Sequence, residues 1–185
     1  MRITMPWALC MSAALFAPTS FAQTASPYAG QQARMVKSLS QQDIDGLRAG
    51  AGAGYAKAAE LNGYPGPAHV LELAQQLQLD PAQQEATSEL LKSHKARAAT
   101  LGAELIDAET MLDRLFADKT ADPASVDRAT AQVGSLQARL RAEHLKTHLA
   151  QTALLTPEQI QRYAALRGYG EVPASAIDQH QHHQH

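Results

Sequence analysis

Leu79-Asp80-Pro81-Ala82-Gln83 and Leu155-Thr156-Pro157-Glu158-Gln159 share one pattern, and Asp122-Pro123 repeats its core. Each offers a side-chain oxygen at an N-cap and a proline at the first helical position, where its missing N–H costs nothing. Gln83 and Gln159 stand three residues after Asp80 and Thr156, the spacing that closes a capping box. Asp80, Gln83, Asp122, Thr156 and Gln159 are therefore expected to be structural caps. These starts divide the chain into helices near 68–78, 82–117, 124–153 and 158–167. The connection between the two long helices is short, so they are expected to run antiparallel as a hairpin.

Both long segments carry small or apolar residues at spacings of three and four. Leu90, His94, Ala98, Leu101, Leu105, Ala108, Leu112 and Leu115 mark the first; Val126, Ala129, Val133, Leu136, Leu140 and His144 mark the second. Apolar residues are 45% of the chain and aromatics only 5%, which favours Ala-rich helix packing over a sheet sandwich. The expected fold is all-α: a long antiparallel helical hairpin flanked by two short helices. A single hairpin buries little, so a homodimer is expected to complete it.

Outside this domain, Arg2 precedes an apolar run from Trp7 through Ala17, and then Ser20-Phe21-Ala22 offers a small-x-small cleavage site. The run is shorter than the ~20 residues that span a bilayer. Residues 1–22 are thus expected to be a signal peptide cleaved near Ala22, directing the product to the periplasm. Cys10, the single cysteine, would leave with it. Residues 23–67, rich in Gln, Ala, Gly and Pro, are expected to be flexible, residues 68–168 to form the helical domain, and 169–185 to be a flexible histidine-rich tail.

Against that frame of caps and hairpin, Leu155-Thr156-Pro157-Glu158-Gln159 resembles the LTxxQ motif of the Spy/CpxP family of periplasmic proteins. Leu79-Asp80-Pro81-Ala82-Gln83 is similar to the degenerate first copy that the family carries, with Asp80 in place of Thr. The resemblance covers about 68–168. It implies a cradle-like helical dimer working in envelope stress as an ATP-independent chaperone, a zinc-binding stress protein or a metal sensor.

His144 and His148, four apart, share a helix face. If the hairpin turns near residues 120 and 121, position 94 lies opposite 147, which brings His94 to that pair. Three imidazoles suit Zn, Ni, Co or Cu, with Glu143 as an oxygen ligand or supporting partner. The resemblance bears on the same pair, since the family's metal sensors use a His-x3-Met pair on the later helix and a His-x3-His pair on the first. Here His69 is followed by Leu73 at that spacing, so a sensor-type site is incomplete. His180, His182, His183 and His185 form a second candidate metal-binding cluster in the tail.

Other function classes find little footing. The net charge of −2 gives no general attraction to nucleic acid, which is not an expected partner. Gly50, Gly52 and Gly54 lack the following Lys-Ser/Thr of a phosphate loop. Glu104, Asp107, Glu109 and Asp113, interspersed with Arg97 and Arg114, read as a solvated face, and no catalytic residue is assigned. No enzyme activity and no required cofactor are expected. Lys92, Lys95, Arg97, Arg128, Arg139, Arg141 and Lys146 alternate with apolar positions, a face able to hold unfolded clients loosely. The leading expectation is a chaperone or stress adaptor for unfolded periplasmic proteins, open to modulation by a divalent metal. The alternative is a heavy-metal binder or sensor acting on a membrane signalling protein.

Overall fold

The computed structural model describes residues 26–169; the expected signal peptide and histidine tail lie outside them. Residues 26–30 form a turn leading to the 3-10 turn Gln31–Ala33. From Ala33 onward the described chain is a helical body with α1 (Gln41–Arg48), α2 (Lys57–Glu60), α3 (Pro67–Glu72), α4 (Pro81–Ala117), α5 (Pro123–Thr152) and α6 (Pro157–Leu166). Among the described residues no strand occurs, and no helix is long and apolar enough to cross a membrane.

The hairpin of α4 and α5 forms as the caps require. Asp80, Asp122 and Thr156 each accept from the backbone three residues on and are capped in return by Gln83, Ser125 and Gln159. The two glutamines also bond each other. Gln83 Nε2 donates to Gln159 Oε1 and Gln159 Nε2 to Gln83 Oε1, both at 2.9 Å. Each amide reaches a carbonyl as well, Leu154 from Gln83 and Leu77 from Gln159. Leu79 and Leu155, which open the two motifs, are buried in one cluster with Val70, Leu77 and Tyr163. The paired motifs therefore clasp the open end of the hairpin besides starting two helices.

Register follows the expectation: the Thr147 hydroxyl lies 2.9 Å from His94 Nδ1. The interface is layered. Ala98, Leu101, Leu105 and Ala108 pack on Val133, Leu136 and Leu140 in the middle, while Leu112, Leu115, Val126 and Ala129 are only half-buried toward the turn. Toward the open end the seam turns polar, with Thr87, His94, His144, Thr147 and Gln151 all buried.

Three expectations need correction. The segment 23–67, expected to be flexible, contains α1 and α2. Ser40 and Asp43 close a capping box on α1, and Ile44 and Leu47 enter the hairpin core. A Cβ at Gly102 would overlap the Leu47 backbone, so glycine lets α1 lie directly on α4. This arm also covers part of the face read as solvated: Val36 is fully buried, Ser38 Oγ donates to the buried Glu109 at 2.8 Å, and Lys37 pairs with Asp113 at 3.3 Å. The helix expected over 68–78 stops at Glu72. Left-handed Gln78 (φ 54°) then lets both Leu77 and Leu79 turn into the cluster under α6, which a continuous helix would not allow.

Candidate metal-binding cleft

Gly50 is the position that shapes the cleft. Its φ of +65° and a hypothetical Cβ 2.7 Å from the Lys95 carbonyl both demand glycine. The chain thereby presses onto α4 and carries Gly52 and Gly54 over the polar end of the hairpin. The result is a cleft of about 420 Å³ walled by the glycine run, by Glu60, Gly66 and His69, and by Leu91, His94, Lys95, His144 and His148 of the long helices. The glycines thus form one wall of the histidine cleft.

His94 and His144 meet edge to face with ring centroids 4.5 Å apart, and Tyr55 stacks on His144 at 5.8 Å. The His94 Nδ1 lies 3.3 Å from Glu143 Oε1, which only accepts, and 2.9 Å from a Thr147 hydroxyl that already donates to the Glu143 carbonyl. Nδ1 must therefore carry the proton, which leaves Nε2 with the lone pair. The same logic holds for His148, whose Nδ1 lies 2.7 Å from the Tyr64 carbonyl, and for His69, 2.9 Å from Glu72 Oε2. Arg97 Nε donates to Glu143 at 2.8 Å and fixes that carboxylate in turn.

Electrostatics keep the central imidazoles neutral. Burial, and then the neighbouring His94 and His148, push His144 from its usual 6.5 down to about 4. Burial also lowers His94, outweighing the upward pull of Glu143. Burial raises Glu143, but the hydrogen bonds from Arg97 and His94 win and hold it below the ordinary carboxylate range. Neutral imidazole is the form that ligates a metal.

His144 Nε2 is buried and has no hydrogen-bond partner among the described residues. The large majority of buried side-chain polar atoms have one. An orphaned imidazole nitrogen beside a second imidazole suits a soft or borderline cation. The fit is that of a pair with neighbours in reach: no three His, Cys, Asp or Glu side chains of the described residues already stand in ligating positions. His148 or His69 would have to turn inward to join.

Sequence reasoning brings His94 and His144 together correctly and puts His148 on the same cleft. It misses Glu60 and His69 as cleft residues, because α2 and α3, which carry them, reach the cleft only through the fold of the 50–66 segment. Asp122 caps α5 far from this end, and His180, His182, His183 and His185 lie outside the described residues.

Comparison with curated proteins and with solved structures finds no match. The sequence profile described as heavy-metal resistance matches residues 46–162, more than half of the chain, from the end of α1 into α6. The match takes in the glycine run and both motif copies, and every residue that lines the cleft lies within it. By that match the chain belongs to the heavy-metal resistance family, within the Spy/CpxP-like helical superfamily.

Proposed function

We propose that this protein is exported to the periplasm and captures a divalent heavy-metal ion in the histidine cleft. The observation that carries the reading is the buried, unpartnered Nε2 of His144 beside His94. Family membership supports it independently. A bound ion would supply the positive charge that the imidazole lone pairs lack a partner for. The chain's own residues do the rest: Glu143 and Thr147 orient His94, the Tyr64 carbonyl orients His148, and the glycine run forms one wall. Imidazole nitrogen accommodates zinc, nickel, cobalt or copper, and the reading includes no catalytic step.

The test is calorimetric titration of zinc and nickel into full-length exported protein with His180, His182, His183 and His185 replaced by Ala. Stoichiometric binding that disappears in the added His94/His144/His148→Ala variant is expected. Binding that survives that triple change would sink the cleft site.

A second reading, reversible holding of unfolded protein, is favoured by a different feature. Near the hairpin turn Met111 and Phe116 are 67% and 60% exposed, and an apolar groove of about 320 Å³ runs between Met111, Leu115 and Ala129. Such a surface suits either a client segment or a homodimer contact. Met111→Glu is expected to weaken suppression of client aggregation in a light-scattering assay. An unchanged scattering curve with an unchanged sedimentation mass would remove both uses of the groove.

A further inference from the structure

Glu60 stands between the cleft and the C-terminal turn and faces both. Its Oε1 accepts from the phenol of Tyr163 at 2.5 Å and from that of Tyr169 at 3.2 Å, with Arg167 Nε 3.5 Å away. Its Oε2 is buried, has no hydrogen-bond partner among the described residues, and points toward His148, whose Nδ1 is 3.7 Å distant. A carboxylate saturated on one oxygen and bare on the other is costly to bury unless something positive approaches the bare side. Arg167 does not: it approaches Oε1, and its Nε makes no hydrogen bond of its own within the described residues. His148 already gives its Nδ1 proton to the Tyr64 carbonyl.

We propose that Glu60 couples the cleft to the C-terminal turn, so that a divalent cation in the cleft and the docking of residues 163–169 strengthen each other. The inference rests on the cleft being a metal site. The sign follows from the division of labour between the oxygens. Tyr163 and Tyr169 hold Oε1 and thereby leave Oε2 turned toward His148; they do not compete for it. Positive charge in the cleft lowers the cost of the buried carboxylate and so makes its bonds to the two phenols more favourable to keep. By linkage, whatever docking contributes to cation affinity, the cation returns to docking. Tyr163 is suited to the role because burial, and then its bond to Glu60, raise its ionisation well above the usual value, so it stays a donor.

The test uses full-length exported protein with the four tail histidines replaced by Ala, and zinc as the probe. Zinc affinity is read by calorimetry, and docking by amide hydrogen exchange over residues 160–169. Glu60→Gln is expected to weaken zinc binding about tenfold or more, and Tyr169→Phe and Tyr163→Phe together roughly fivefold. Zinc is expected to slow exchange over 160–169 in the parent and to leave it unchanged in Glu60→Gln. If zinc leaves that exchange unaltered or speeds it, or the tyrosine variants bind as tightly as the parent, the coupling is overturned. Should Tyr163→Phe compromise folding by circular dichroism, Tyr169→Phe alone, at a half-buried position, decides the same point. Zinc binding lost in His144→Ala but indifferent to Glu60 refutes the coupling alone; zinc binding absent from the parent refutes the metal site and the coupling with it.

Discussion

His144 is a base whose burial costs it its proton. Its folded value near 4 lies below its ordinary 6.5, so the unfolded chain takes up the proton first as pH falls. The stability it contributes is complete above about 6.5 and is lost progressively between there and 4, at up to about 1.4 kcal/mol per pH unit for one such group. His94, lowered by burial too, acts in the same direction. Urea midpoints measured from pH 7 to pH 4 should therefore decline, and His144→Gln should flatten the decline; parallel slopes would show that other groups govern it. Gly66 makes a second residue-scale case. A Cβ there would stand 2.8 Å from His148 Cε1 and 3.0 Å from Nε2, although the backbone, with φ −92° and ψ 144°, tolerates alanine. Gly66→Ala should displace that ring and weaken zinc binding several-fold while the melting temperature stays near the parent's.

Helix starts and register were legible because they depend on neighbours in sequence. Asp80, Thr156 and their glutamines had only to satisfy local backbone groups, and one turn position sufficed to set 94 against 147. The meeting of Gln83 with Gln159 was not legible, since it needs α6 folded back across the start of α4. Nor was α1 recognised, although Ser40 and Asp43 stand at capping-box spacing; its polar residues Gln41, Gln42 and Asp43 obscured the two apolar ones that matter. The cleft was half legible for the same reason: His94 and His144 belong to the hairpin, whereas Glu60 and His69 sit on the short α2 and α3, whose placement depends on the irregular turns between them, which no periodicity encodes. A double-mutant cycle on Gln83→Ala and Gln159→Ala tests the element-scale clasp. Each change should cost about 1–2 kcal/mol, with a coupling of at least ~0.5 kcal/mol between them; strict additivity would reduce both residues to independent caps.

At the scale of the whole molecule, the 33–48 arm supplies core that the hairpin lacks. Ile44 is 2% exposed and Leu47 lies against Gly102. Ile44→Ala should cost about 2–5 kcal/mol, as a buried truncation does, and a chemical denaturation curve would reveal it. A loss below ~0.5 kcal/mol would mean that the arm rests on α4 without completing its core.

The clasp at the open end of the hairpin is made of two neutral amides and two carbonyls. These amides and carbonyls neither titrate nor carry a charge for salt to screen. The cleft a few turns away is made of imidazoles and a carboxylate, which respond to both. Acidity can thus change the charge carried by the cleft while the contacts of the joint beneath it stay the same.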